Sequence, residues 1–203
     1  MMRIEVVGIT GGVGAGKSEV LSLIREMVSC RIIYADDLAK ELQEPGRECF
    51  DRIVGLLGKD VLSADGRIDA KVMSTKIYRD PSLRKEVNAI VHPAVEREIR
   101  RIISDEKEQN RFEYLFIEAA LLIECGYDRI CDELWYIYAS EEERRRRLKA
   151  SRGYSDEKID GIFASQLSEA EFRAACTETI INEGEIGQTR LQLKEIILKR
   201  GRQ

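Results

Sequence analysis

The sequence predicts an α/β fold in which helices cover both faces of a parallel sheet. Short apolar runs, typical of buried strands, alternate with amphipathic segments along the whole chain of 203 residues. The chain has only three prolines and no repeat or low-complexity stretch. We therefore expect one compact domain, in which any subdomain is an insertion rather than a separate unit on a linker.

The predicted strands are short and apolar. They comprise residues 4–9, 31–34, 114–123 with its adjoining loop, 133–139 and 177–181. The run YLFIEAALLI at 114–123 is the longest of these, which predicts a central strand of the sheet.

The helices are predicted from apolar residues at helical spacing. They comprise residues 18–27, 38–42, 49–57, 69–105, a segment after Ser140, and 186–199. Pro81 and Pro93 should break the long charged segment into pieces. Ser140 should begin its helix as a cap, with Glu143 completing a capping box. The single histidine, His92, precedes Pro93, which favours extended backbone at that point.

Composition narrows the class of protein. A formal net charge of −4 makes a general nucleic-acid binder a poor candidate. Five cysteines without C-x-x-C spacing, beside one histidine, indicate reduced thiols rather than disulfides or a zinc site. The N-terminus lacks a signal-peptide pattern, and no apolar run approaches the ~18 residues of a membrane span. We expect a cytoplasmic protein with neither nucleic acid nor membrane as a partner.

Residues 11–18 (GGVGAGKS) match the phosphate-binding pattern G-x-x-x-x-G-K-[ST] in full. The motif follows a predicted strand and opens a predicted helix, as a P-loop does. Its glycines let successive N–H groups converge on one anion, and the helix N-terminus adds its dipole. Lys17 would reach the β- and γ-phosphates, and the Ser18 hydroxyl would be a ligand for Mg²⁺. The alternative is a glycine-rich turn that binds nothing.

A P-loop alone does not define a reaction. The sequence has no N-K-x-D motif for reading guanine, and its length is short for a transport or AAA-type ATPase. A small-molecule kinase fits best, with a non-catalytic nucleotide sensor as another possibility.

Carboxylates after two predicted strands supply candidates for the acceptor side of a kinase. Asp36 is expected to orient and deprotonate the acceptor hydroxyl, whereas Asp37 is expected to cap the next helix. Glu118 could hold Mg²⁺ through water, pair with Lys17, or accept from backbone donors. His92 on sequence alone is more often structural than functional.

Five arginines, at 144–147 and 152, follow three glutamates on one predicted helix. Arg144 and Arg145 are expected on a solvated face, with ion pairs such as Glu141–Arg145. Arg147 and Arg152 lie nearer a glycine break, where a mobile lid would bring guanidinium groups to the transferring phosphoryl group.

In its ordered motifs the chain resembles the dephospho-coenzyme A kinases, which phosphorylate the ribose 3′-hydroxyl of dephospho-CoA with ATP. The resembling segments are residues 8–18 (GITGGVGAGKS), 34–36 (YAD), 44–46 (EPG), 88–93 (NAIVHP), 118–124 (EAALLIE) and 180–184 (IINEG). The chain departs from the family pattern at Tyr34, Ala70, Ala120, Ile162 and Thr177, and Ser151-Arg152 stands where the family commonly has Arg-Asp.

The resemblance implies a P-loop kinase core (1–62, 111–146 and 176–203), a helical substrate-binding insertion (about 63–110) and a helical lid (about 147–175). It implies ATP and Mg²⁺ as cofactors, with Gly12, Val13, Gly14, Ala15, Gly16, Lys17, Ser18, Glu19 and Asn182 at the nucleotide and Ser18 at the metal. It implies Asp36, His92, Glu118 and Leu121 at dephospho-CoA, and Asp36, Lys17, Arg147 and Arg152 in catalysis. A nucleoside or nucleoside monophosphate kinase is the alternative, and we expect a monomer or weak homo-oligomer.

Overall fold

The structure is a computed structural model that describes residues 4–200. The chain forms two compact units. The first contains the chain up to Ile33 and from Glu106 onward, and the second contains residues Tyr34–Asp105. The chain thus leaves the first unit and returns to it once.

The described residues contain five strands. They are β1 (Glu5–Thr10), β2 (Cys30–Tyr34), β3 (Tyr114–Glu118), β4 (Glu133–Tyr138) and β5 (Glu178–Ile181). They form one parallel sheet in the order β2-β3-β1-β4-β5, which confirms the predicted fold class. The run at 114–123 is a strand only as far as Glu118, where Ile9 of β1 is its neighbour in register. The next residues form turns.

The described residues also contain nine α-helices. They are α1 (Lys17–Arg25), α2 (Ala35–Leu42), α3 (Phe50–Leu57), α4 (Ala70–Arg79), α5 (Pro81–Gln109), α6 (Glu141–Arg152), α7 (Asp156–Ala164), α8 (Glu169–Ala175) and α9 (Ile186–Arg200). None of the helices in residues 4–200 has the length and apolar character needed to cross a membrane.

The first unit is built on the sheet. Five of the six residues of β1 are buried, as expected for a central parallel strand covered on both faces. Phe116 and Trp135 are fully buried on β3 and β4, and their rings meet edge to face with centroids 5.5 Å apart. At the far end of the unit, Arg200 forms salt bridges with Glu5, Glu133 and Glu178, and so ties α9 to three strands.

In the second unit, the prediction that Pro93 breaks its helix is wrong. Helix α5 runs through Pro93 without interruption, so His92 is helical and not extended. Pro93 cannot donate to the carbonyl of Ala89, but burial of Ala94, Val95 and other apolar residues of α5 outweighs that local loss. Pro81, in contrast, does separate α4 from α5.

Two capping predictions also need correction. Tyr34, not Asp37, is the N-cap of α2, because the helix already begins at Ala35. Asp37 lies in the first turn and pairs with Lys40. Ser140 does cap α6 by accepting from the N–H of Glu143, but the Ser140 N–H donates to Glu183 instead. Only half of the predicted capping box forms.

Candidate active site

The loop between β1 and α1 has the shape of a phosphate cradle. Gly11, Gly14 and Gly16 adopt φ values of 146°, 88° and 87°, which residues with a side chain rarely adopt. A Cβ on Gly11 would collide with the carbonyl oxygen of Ile137, so that position has room only for glycine. The loop closes through a hydrogen bond from the Ala15 N–H to the Gly12 carbonyl oxygen, 3.0 Å away.

Lys17 is the first residue of α1 and is held over the loop. Its Nζ donates to the Gly11 carbonyl oxygen at 2.9 Å and lies 3.6 Å from Glu118 Oε1. Both side chains are mostly buried, because β3, which ends at Glu118, is the direct neighbour of β1. Of the three roles left open for Glu118, the structure shows the pairing with Lys17.

Asn182, just after β5, forms hydrogen bonds with the loop and lies on the opposite side of β1 from Glu118 in the strand order. Its amide Nδ2 donates to the Ala15 carbonyl oxygen at 3.0 Å and contacts Glu19 Oε2 at 3.2 Å. The Thr189 hydroxyl donates to Asn182 Oδ1 at 3.1 Å. Asn182 is only 2% exposed, so these bonds satisfy an amide that would otherwise be costly to bury.

Arg147 of α6 braces the same corner of the loop. Its Nη1 donates to the Ala15 carbonyl oxygen at 3.1 Å and its Nη2 to the Asn182 carbonyl oxygen at 2.8 Å. The Nε donates to Glu143 Oε1 at 2.7 Å. Hydrogen bonds from Arg146 and Arg147 outweigh the effect of burial and lower the pKa of Glu143 to about 2. The charged carboxylate is thus part of this brace.

Arg145 and Arg152 also lie on α6, and the salt bridge predicted for Arg145 does not form. Arg145 forms salt bridges with Asp156 and Asp160 of α7, rather than the expected pair with Glu141. Arg152 is exposed and lies over the ring of Tyr154 at 5.8 Å from its centroid.

Arg144 contradicts the expected solvated face. It is half-buried, stacks on the Phe163 ring at 4.2 Å, and packs against the P-loop. The pattern of four consecutive arginines could not show which of them turns inward, because that depends on where α7 and the loop lie.

Gln166, in the turn between α7 and α8, is a contact that sequence reasoning missed. Its Oε1 accepts from the Val13 N–H at 3.2 Å and from Arg144 Nη1 at 3.4 Å. Arg144, Gln166 and Phe163 also line a cavity of about 350 Å³ with Tyr136 and Phe172. No sequence motif singled out a glutamine for contact with the loop.

The predicted acceptor residues Asp36 and His92 belong to the second unit. Asp36 is exposed in the first turn of α2, where the helix dipole favours a carboxylate. His92 is half-buried on α5, and burial lowers its pKa. In the first unit, Leu121 follows β3 and is 44% exposed.

Among residues 4–200 no group of three or more histidine, cysteine, aspartate or glutamate side chains could hold a metal ion. Mg²⁺ in phosphoryl-transfer sites needs no such group, because it keeps waters and binds substrate phosphates with one or two protein ligands. The exposed hydroxyl of Ser18 in the first turn of α1 and the carboxylate of Glu118 are oxygen donors of that kind.

Solved structures show the same fold. A protein from Thermus thermophilus matches with a TM-score of 0.79 at 28% identity, covering 97% of this chain and 98% of its own. A dephospho-CoA kinase from Campylobacter jejuni matches with a TM-score of 0.72 at 19% identity, covering 98% of both chains. A shikimate kinase from Acinetobacter baumannii matches at 0.57 and 12% identity, covering 100% of this chain and 96% of its own. The fold and the loop between β1 and α1 are those of a P-loop kinase.

Sequence comparison narrows that class to one family. The family model described as dephospho-CoA kinase matches residues 5–188. A dephospho-CoA kinase from Symbiobacterium thermophilum is 34% identical over 191 residues, which are 94% of this chain and 79% of that protein. One from Geobacter sulfurreducens is 34% identical over 197 residues, 97% and 99% of the two chains. The chain belongs to the dephospho-CoA kinase family.

Proposed function

We propose that this chain transfers the γ-phosphoryl group of ATP to the ribose 3′-hydroxyl of dephospho-CoA, giving coenzyme A and ADP. The observation that carries the proposal is the closed P-loop at residues 11–18, with Lys17 held above it, in a chain of this family. The reaction is the last step of coenzyme A biosynthesis, and we place it in the cytoplasm, in a monomer or weak homo-oligomer.

The nucleotide side of the reaction rests on the P-loop. Backbone N–H groups from Gly12 to Ser18 would bind the phosphate oxygens, with Glu19 and Asn182 beside them. Lys17 is held by the carbonyl of Gly11 and by Glu118, and a phosphate chain offers its ammonium group stronger acceptors. Lys17 would therefore turn to the β- and γ-phosphates and stabilise negative charge there during transfer.

The Ser18 hydroxyl would be the direct protein ligand of Mg²⁺, and Glu118 would bind it through water. When bound, the ion neutralises charge on the phosphate oxygens. Ser18 is exposed at the N-terminus of α1, so its hydroxyl is accessible for this role.

On the acceptor side we assign the general base to Asp36. A carboxylate is far too weak a base to deprotonate an alcohol before the reaction begins. It accepts the proton as the bond to phosphorus forms, and it orients the hydroxyl until then. His92, Glu118 and Leu121 would contact dephospho-CoA. The lid, residues 147–175, would exclude water and so limit hydrolysis of ATP.

Arg147 and Arg152 complete the proposed catalytic set. For Arg147 we propose a positioning role in that set, holding the loop in shape, and its bonds to Ala15, Asn182 and Glu143 support this role. Arg152 is exposed on the last turn of α6, and it would reach a phosphate only when the lid closes.

A substrate screen tests the proposal. The purified chain is incubated with ATP and Mg²⁺ and, in separate reactions, with dephospho-CoA, AMP, CMP or a nucleoside, and products are identified by mass. We expect one added phosphoryl group on dephospho-CoA alone. Lys17→Met should abolish the product, and Lys194→Met, an exposed lysine on α9, should not. Phosphorylation of AMP, CMP or a nucleoside in preference to dephospho-CoA would instead identify a nucleoside or nucleotide kinase.

A further inference from the structure

Arg144 lies directly on the P-loop. A Cβ built on Gly12 would collide with its guanidinium group, and a Cβ on Gly14 would meet its backbone carbonyl and side chain. The small size of Gly12 therefore leaves space that the Arg144 side chain fills. The charged end of Arg144 sits beside the backbone N–H groups that bind anions.

Arg144 and the P-loop donate hydrogen bonds to the same oxygen atom. Gln166 Oε1 accepts from the Val13 N–H and from Arg144 Nη1, at 3.2 and 3.4 Å. The first donor belongs to the phosphate cradle and the second is a permanent cation. An amide oxygen is neutral, and a phosphate oxygen is a stronger acceptor for both donors.

Arg144 also keeps unused hydrogen-bonding capacity. Within residues 4–200 its buried Nε has no acceptor, and it is the one arginine of the run 144–147 without a salt bridge to a carboxylate. Its guanidinium carbon lies over the Phe163 ring, 4.2 Å from the centroid, a contact that holds the group in place without neutralising its charge. Helix α7, which carries Phe163, contains no arginine of its own.

We infer that Arg144 is a phosphate-binding residue, and that a phosphate oxygen of the nucleotide takes the place of Gln166 Oε1 between the Val13 N–H and Arg144. The inference rests on the proposed function, since it assigns one more ligand to the same nucleotide. It adds a cation to the site from α6, on the side of the loop opposite Glu118 in the strand order. Gln166 holds the acceptor position until the phosphate displaces it.

The competing explanation is that Arg144 only packs the α7–α8 turn onto the loop. The two explanations differ in how binding depends on phosphate. A phosphate ligand contributes to ATP binding and adds nothing for adenosine. A packing residue can be replaced by methionine, an apolar side chain of similar length, with ATP binding kept near the wild-type value and only the stability changed.

The test compares Arg144→Met with the wild-type protein by calorimetric titration with ATP, ADP, AMP and adenosine. Loss of a charge-assisted hydrogen bond should weaken ATP binding by about tenfold or more, while adenosine binding stays the same. The effect should grow with the number of phosphates. Arg129→Met, at an exposed arginine in the turn before β4, is the matched control and should leave all four affinities unchanged. Unchanged ATP affinity in Arg144→Met, or equal losses for ATP and adenosine, would overturn the inference.

If Arg144→Met does not fold, Arg144→Lys provides the same test, in which the loss of ATP affinity is compared with the loss of adenosine affinity. Lysine keeps the charge but lacks the planar fork, so ATP binding should weaken severalfold with adenosine unaffected. Equal losses of affinity for ATP and adenosine in Arg144→Lys would again overturn the inference. If the wild-type protein binds ATP but does not phosphorylate dephospho-CoA, the proposed function is contradicted. The titrations then still decide whether Arg144 binds phosphate.

Discussion

The side-chain amide of Asn182 donates a hydrogen bond to the carbonyl oxygen of Ala15, 3.0 Å away, although 167 residues separate the two in sequence. This bond joins the end of β5 to the middle of the P-loop. A Cβ on Gly16 would collide with the same amide nitrogen, so the glycine and the asparagine fit each other. The loop is therefore held by its neighbours as well as by its own glycines.

Asn182→Ala should destabilise the first unit. The substitution removes the hydrogen bond that Asn182 Oδ1 accepts from the buried Thr189 hydroxyl, which keeps its longer bond to the Ile181 carbonyl oxygen at 3.3 Å. It also removes one of the two donors to the Ala15 carbonyl oxygen. We expect the free energy of unfolding to fall by about 2 kcal/mol, because two hydrogen bonds worth about 1 kcal/mol each are lost. Urea denaturation measures the change. Asn88→Ala, at an exposed position on α5, is the matched control and should cost little. Equal stability of the Asn182 variant and the wild-type protein would contradict the assigned role.

Asp36→Asn should lose turnover while ATP binding stays near normal. The amide keeps the shape of the side chain but cannot accept the proton of the ribose hydroxyl, so kcat should fall by about 10²-fold or more. Steady-state kinetics with dephospho-CoA, together with titration of ATP, measures both quantities. Asp37→Asn changes an exposed neighbour on α2 that pairs with Lys40, and it should keep most of the activity. Wild-type turnover in Asp36→Asn would show that the base is another group.

The sheet and the loop between β1 and α1 could be predicted because their signals are local. An apolar run joined to a glycine-rich loop with Lys17 and Ser18 determines the strand, the turn after it and the start of the helix. The bonds of Asn182 to the loop depend on β5 lying beside β4. From the sequence, Asn182 could be assigned to the nucleotide site only because residues 180–184 resemble a family motif. The order of the strands in the sheet brings such residues together, and the sequence around each residue does not reveal that order.

The errors arose where tertiary packing outweighs a local rule. The proline rule predicted a break at Pro93, but buried apolar residues on both sides of it keep α5 continuous. The arginine run predicted a solvated face for Arg144 and Arg145, yet Arg144 turns inward because Phe163 and Gln166 lie beside it. Gln166 itself carries no local signal. Its contact with Val13 spans 153 residues.

His92 should titrate below its usual range. Burial lowers its pKa, so below about pH 6.5 the unfolded chain binds a proton more readily than the folded chain. Stability should therefore fall as the pH drops through that value. The sequence has one histidine, so a single imidazole signal in an NMR titration reports its pKa without assignment. His92→Gln should remove this part of the pH dependence. A midpoint at or above 6.5 would contradict the prediction.

Glu143 should stabilise the protein at neutral pH and lose that effect in acid. Arg146 and Arg147 hold its pKa at about 2, below the value of about 4.5 for a free glutamate. A lowered carboxylate pKa contributes stability that is complete above 4.5 and disappears as the pH falls toward 2. Glu143→Gln should thus be less stable than the wild-type protein by about 1 kcal/mol at pH 7, since its partners are partly solvated. The difference should shrink at pH 3, as thermal unfolding of the two proteins at both pH values would show. Glu142→Gln, at an exposed neighbouring position on α6, is the matched control and should leave the stability at pH 7 near that of the wild-type protein. A constant difference for Glu143→Gln would mean that its carboxylate contributes by shape rather than by charge, and that Arg147 holds the loop without it.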